Sequence, residues 1–241
     1  YQNVFPGAVN SAGSMVSISA YNNLTERENI FNQTDLIFDI NQGDIVHRML
    51  VGAELGRQDT ENFRQTGYFG APGSTVTSQS VSVSNPQPNL PISYRQSASD
   101  ADNAGVADTA ALYVQDQMHI GEKWQFIAGL RYDRFAMDFT NNRSGVRIEQ
   151  TDDMLSPRAG LIYQATPDFN LYASYSKAFV PRAGDQLASL TPSNANLDPE
   201  EFSNHEIGMK WQLSQGLLRR LGRYRLNRGN VADAYADKAG Q

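Results

Sequence analysis

Three histidines, His47, His119 and His205, bear on metal chemistry first. They fall on separate stretches without metal-ligand spacing, so each reads as an ordinary strand residue. Two acid pairs, Asp152-Asp153 and Glu200-Glu201, have the residue type that general acid–base work needs. Neighbours on a strand point to opposite faces, however, so neither pair converges on one point. Solvated charge is the better reading. The chain has no nucleophile elbow, phosphate-binding loop or dinucleotide fingerprint. With no Cys it has no disulfides, thiolate metal sites or Cys nucleophiles. The residues predict no enzyme, no metal site and no cofactor.

Two further patterns carry less weight. Asn23-Leu-Thr25, Asn32-Gln-Thr34 and Asn142-Arg-Ser144 fit the glycosylation acceptor pattern, which recurs by chance. Five arginines between Arg219 and Arg228 form an anomalous basic patch, for which RNA or lipid binding is the minor reading. Such a run is costly wherever its strand meets lipid. The chain as a whole carries a net charge of -6, which opposes nucleic-acid binding.

The elements that hold these residues are strands. Trp124, Phe126, Ala128, Leu130 and Tyr132 alternate with Gln125, Ile127, Gly129, Arg131 and Asp133. Ile207, Met209, Trp211 and Leu213 alternate with Glu206, Gly208, Lys210 and Gln212. A period of two gives one oily and one wet face. Mean hydropathy is -0.50 and no stretch reaches the roughly 20 apolar residues of a helical span. A barrel strand shows lipid only every second side chain, so this excludes helical spans and leaves a barrel open. Eleven Tyr and eleven Phe suit its interfacial girdles.

About nine strands are expected. They cover roughly 14–22, 31–40, 45–56, 110–120, 123–139, 146–164, 170–179 and 205–213, with a last element near 224–228. Pro157 predicts a bulge or a strand start. Tight turns are expected at Asn41–Asp44, Gly121-Glu122, Thr166–Asp168 and Ser214–Gly216. Longer loops are expected at 57–108, around 141–145 and at 181–204. The Ser-, Gln-, Asn- and Pro-rich stretch 57–108 reads as a surface loop rather than a disordered linker, because the same strand pattern resumes beyond it. Short and long connections alternate, as in an up-and-down transmembrane barrel wall with short periplasmic turns and long extracellular loops. The fold class is therefore all-β and antiparallel.

Specific stretches then stand out. "ALYVQDQMHIGEKWQFIAGLRYDRF" (Ala111–Phe135), "SPRAGLIYQATPDFNLYASYSKAFVP" (Ser156–Pro181) and "LDPEEFSNHEIGMKWQL" (Leu197–Leu213) resemble the barrel wall of TonB-dependent siderophore receptors, the catecholate and ferrichrome-type group above all. "IFNQTDLIFDI…RMLVGAELGRQ" (Ile30–Gln58) extends the likeness.

The resemblance implies a 22-strand outer-membrane barrel filled by a plug, binding ferric siderophore outside and taking energy from an inner-membrane TonB complex. Residues 1–218 would supply part of that wall. The plug and the energy-coupling box are not in this sequence. Residues 219–241 depart from the pattern: "LLRRLGR" puts arginines where the family has small or apolar residues, as a truncated or frameshifted end would. Anionic ferric catecholates imply cationic and aromatic loop residues, and Arg182 and Gln186 are the ligand-binding candidates, ahead of Tyr68, Phe69, Tyr94 and Arg95. Nine strands alone would leave raw edges and aggregate. Closure into a small barrel would crowd Tyr113, Gln115 and Arg131. The alternatives are a passive porin-like or structural barrel, a non-functional fragment, or a secreted carbohydrate-binding sandwich. A plug encoded upstream would separate receptor from porin.

Overall fold

The computed structural model describes residues 2–182 and 195–231. Within them the elements are strands: β1 (Gln2–Val9), β2 (Met15–Gln42), β3 (Ile45–Phe69), β4 (Ser78–Ser82), β5 (Ile92–Arg95), β6 (Asp102–Ile120), β7 (Trp124–Asn141), β8 (Arg147–Thr166), β9 (Phe169–Val180), β10 (Glu200–Ser214) and β11 (Leu217–Gly229). One sheet runs β1-β2-β3-β6-β7-β8-β9-β10-β11, with β4 paired to β2 and β5 to β3. Chain neighbours pair in sequence along this path, which is the expected antiparallel up-and-down order.

Several strands outrun their alternation pattern. The two stretches expected at 14–22 and 31–40 are one strand, β2, which continues through the polar run Asn23–Asn29. β3 continues to Phe69 and β6 starts at Asp102, so strand occupies both ends of the stretch expected as loop. Ladder hydrogen bonds join backbone to backbone and do not need apolar side chains, which is why hydropathy ends sooner than the strand. β8 runs through Pro157, and its ladder with β9 starts at the next residue, Arg158↔Ser176. Proline has no N–H to give to that ladder. β11 covers the whole arginine run, from Arg219 to Arg228.

Connections at 43–44, 121–123, 167–168 and 215–216 are tight. Gly43 (φ 64°) and Gly121 (φ 55°) supply the left-handed backbone that two of these reversals need. The connection at 142–146 is also a short hairpin, closed by Asn141 N donating to Val146 O at 2.9 Å. The alternation of short and long connections is therefore less strict than the sequence suggests.

The chain divides into two compact units. The first (1–28, 59–105, 139–147) has a small core of Val16, Ile18, Ala20, Phe69 and Val81, joined by Ile92 and Tyr94. Phe69 is 1% exposed. Burial of a side chain of this size contributes roughly 1.5–3 kcal/mol.

The second (29–58, 106–138, 148–241) is a sheet with two chemically distinct faces. Paired residues share a face. One face carries the rows Tyr163–Leu171–Met209 and Leu161–Ala173–Ile207; the other carries Gln164–Asn170–Lys210 and Gly160–Ser174–Glu206. Leu112, Ile207 and Leu221 stay more than three-fifths exposed. Side chains this apolar left bare across a sheet call for a non-aqueous neighbour.

Candidate functional site

The polar face of the second unit holds a connected network. Tyr113 on β6 lies across Gly52 on β3, where an added Cβ would collide with the tyrosine ring. Its hydroxyl donates to Asp35 Oδ1 at 2.5 Å and accepts from Gln33 Nε2 at 3.0 Å. Arg131 pairs with Glu54, and its Nε donates to Asp133 Oδ1 at 2.8 Å. The Arg131 guanidinium also lies 5.2 Å from the centre of the Tyr113 ring. Glu54, Tyr113, Gln115, Arg131 and Arg158 line a hollow of about 620 Å³. Tyr172 repeats the device: it crosses Gly208 and donates to Glu206 Oε1 at 2.7 Å. An aromatic ring over a strand glycine fills the missing side chain and pins the register. Such a face can hydrogen-bond water and polar cargo.

Aromatic rings gather near the tight turns. Trp124 lies 4.4 Å from Tyr163 and 6.2 Å from Phe126, and Phe169 meets Trp211 edge-on at 5.9 Å. Rings with one oily side and a polar tip settle at a membrane–water boundary. His47 Nδ1 meets Asp116 Oδ2 at 2.7 Å, close to the same turns. His205 packs 4.8 Å from Tyr175, and His119 takes the Gln117 amide at 3.3 Å. The three histidines thus have three separate partners.

The arginine run splits by face. Arg220 pairs with Lys210 on the polar side, whereas Arg219, Arg223 and Arg225 pair with Trp211, Ile207 and His205 on the apolar side. An arginine facing lipid at mid-bilayer costs about 2–4 kcal/mol. Alternation in the sequence marks this conflict; the register fixes which three residues carry it.

In the first unit Asp100 is the hub. Its carboxylate accepts from Thr66 N at 2.9 Å, Thr66 Oγ1 at 2.9 Å and Ser97 N at 2.7 Å, and its side chain is 4% exposed. Burial alone would raise this carboxyl, but the Ser97 and Thr66 hydrogen bonds outweigh it and hold the group below its ordinary range. Arg143 donates to the backbone oxygens of Ser97 and Asp100. Tyr68 and Phe69 are buried, and Arg95 stacks 3.5 Å over Tyr68 while donating to Ser74 O at 2.5 Å. These three candidate loop residues are occupied in holding the loop itself. Tyr94 packs beside the core.

Arg182 Nη1 donates to Glu200 Oε1 at 2.6 Å and its Nε to Asp198 O at 3.1 Å. Arg228 takes the other Glu200 oxygen. Arg228, and then Arg182, hold the Glu200 carboxyl below its ordinary range. Gln186 lies outside the described residues. The acid pairs separate as alternation predicts: Glu201 meets Lys177 at 2.8 Å, Asp153 takes the Tyr132 hydroxyl at 2.6 Å, and Asp152 is buried beside Gln150. Burial, with Asp198 and Asp153 nearby, raises Asp152 above its ordinary range.

A sheet with one bare apolar face, aromatic rings near its tight turns and a hydrogen-bonded polar face is wall material for a membrane β-barrel. Residues 1–236 match the family described as TonB dependent receptor-like, beta-barrel, and the chain belongs to that family. That places it in the bacterial outer membrane. It is 30% identical over 209 residues to the metal-pseudopaline receptor CntO of Pseudomonas aeruginosa, covering 84% of this chain and 28% of that protein. It is also 30% identical over 199 residues to the ferrioxamine B receptor of Salmonella typhimurium, covering 80% and 25%. Among solved structures, the siderophore receptor PiuA from Acinetobacter baumannii superposes with a TM-score of 0.73 at 21% identity, over 88% of this chain and 33% of that one. The chain therefore spans about a quarter to a third of the relatives it matches.

Proposed function

We propose that this chain is a wall segment of an energy-coupled outer-membrane receptor that imports a ferric siderophore. The observation that carries the reading is the two-faced sheet of the second unit within a family-matching sequence. Its apolar face suits acyl chains, and the Asp35–Tyr113 and Glu54–Arg131–Asp133 network suits a wet interior. Relatives named as receptors for metal-pseudopaline and ferrioxamine B support a metal chelate as cargo.

The connections at 70–101 and 181–199 are the proposed extracellular ligand loops, with Arg182 and Gln186 as the proposed contacts. Arg182 stands where the second of these loops begins and offers a guanidinium of the charge sign that suits an anionic ligand. A TonB-type complex is the proposed energy source, reached through parts of the receptor beyond this wall.

The test is uptake of radioactive iron from a panel of ferric catecholates and hydroxamates, in cells with and without the gene that carries this segment. Uptake that needs both the gene and the inner-membrane energy source is expected. Gene-dependent uptake that persists after energy coupling is removed would favour a passive pore.

A further inference from the structure

We propose that the apolar face of β11 binds a membrane lipid of net negative headgroup charge, with Arg223 and Arg225 holding its phosphate. The proposal rests on the membrane placement described above and goes beyond the transport reading. The register is explicit: Ala173, Ile207 and Arg223 form one row, and Tyr175, His205 and Arg225 the next. Four positions nearer the tight turn, Arg219 stands opposite Trp211. Three guanidinium groups thus stand among Leu171, Met209, Ile207, Leu221 and Trp211, with His205 opposite Arg225.

No carboxylate belongs to those rows, and Glu201, farther along the same face, is held by Lys177 at 2.8 Å. Glu206, between Arg223 and Arg225 in register, points to the opposite face and takes the Tyr172 hydroxyl. Among the described residues, Arg219 and Arg223 make no ion pair, and Arg225 Nε donates only to the neutral Asn227 Oδ1 at 3.1 Å. The counter-charge must therefore come from outside these residues.

Position selects its source. A membrane strand crosses hydrocarbon in about 9–11 residues. Arg225 is eight residues from Leu217 at the tight turn, so it sits just below the far headgroup layer. Arg223 lies two residues deeper and can extend toward the same level, since long cationic side chains bury their stems and lift their heads to the interface. Arg219, two residues from the turn, reaches the near layer in the same way. An acyl chain then lies along Ile207 and Leu221 while the lipid phosphate accepts from Arg223 and Arg225, the fork geometry that guanidinium favours.

The test uses the whole receptor that carries this segment, in zwitterionic detergent micelles, offered dimyristoyl phosphatidylglycerol or phosphatidylcholine, with bound lipid counted by native mass spectrometry. Phosphatidylglycerol should be retained about tenfold more than phosphatidylcholine. The Arg223→Gln, Arg225→Gln double variant should bring the two within about twofold, while Arg220→Gln, which loses a charge on the polar face, keeps the preference. Inorganic phosphate at the same concentration should not displace the lipid.

Equal retention of both lipids, equal loss in Arg220→Gln, or displacement by inorganic phosphate would overturn the proposal. Migration that changes on heating reports embedding independently of lipid choice. A receptor that fails to embed sinks the membrane placement itself; one that embeds and ignores headgroup charge sinks only the lipid site.

Discussion

Tyr113 occupies the space above Gly52 and hangs its hydroxyl on Asp35, so a glycine with no side chain and a ring on the adjacent strand form one unit of the wall. Gly52→Val would drive two methyl groups into that ring. We expect the variant to lose about 1–3 kcal/mol of stability. Its midpoint for loss of β-signal in micelles should fall accordingly, while Gly121→Asn, at a left-handed turn with open space around it, stays near the parent value.

Asp100 makes the stability of its loop depend on acid. Its folded carboxyl titrates below the ordinary 3.8, so the contribution is fully present above that value. It is lost as pH falls through the lower folded value. Asp100→Ala should remove it at every pH, because the half-buried Thr66 and Ser97 donors lose their acceptor at a cost of about 1 kcal/mol. Limited proteolysis within 70–99 at neutral pH is the readout; cleavage no faster than in the parent would refute the role.

Asp152 should respond in the opposite sense. Burial holds its folded carboxyl above 3.8, so the charged form is disfavoured in the folded chain. Stability is greatest below the unfolded value and declines as pH rises through the folded one. Asp152→Asn should therefore be more stable than the parent at pH 7 and indistinguishable from it in acid. Chemical denaturation at the two pH values checks the sign.

Arg182 and Arg228 offer a paired comparison at the second loop. Arg182 leads into the 183–194 stretch, whereas Arg228 belongs to β11 and meets Glu200 from the strand side. If Arg182 contacts an anionic chelate, Arg182→Ala in the receptor should weaken binding about tenfold or more, the scale of a hydrogen bond to a charged group. Arg228→Ala should leave affinity within about threefold. Titration calorimetry with the ferric ligand decides; equal effects would make the pair purely structural.

The amino-acid order alone determined the strand period, the tight turns at Gly43, Gly121 and Gly216, the two-faced wall and its family, because alternation and turn chemistry are local properties. It also separated Asp152 from Asp153 and Glu200 from Glu201. Only the tertiary structure decided that β2 continues through its polar middle, that β3 reaches Phe69, and that Tyr68 and Arg95 hold the loop together. Those outcomes depend on which backbone lies alongside, as does the division of the arginines between two faces. A strand's hydrogen bonds and its side-chain neighbours come from residues distant in the chain, so register, rather than period, settles where each charge ends up.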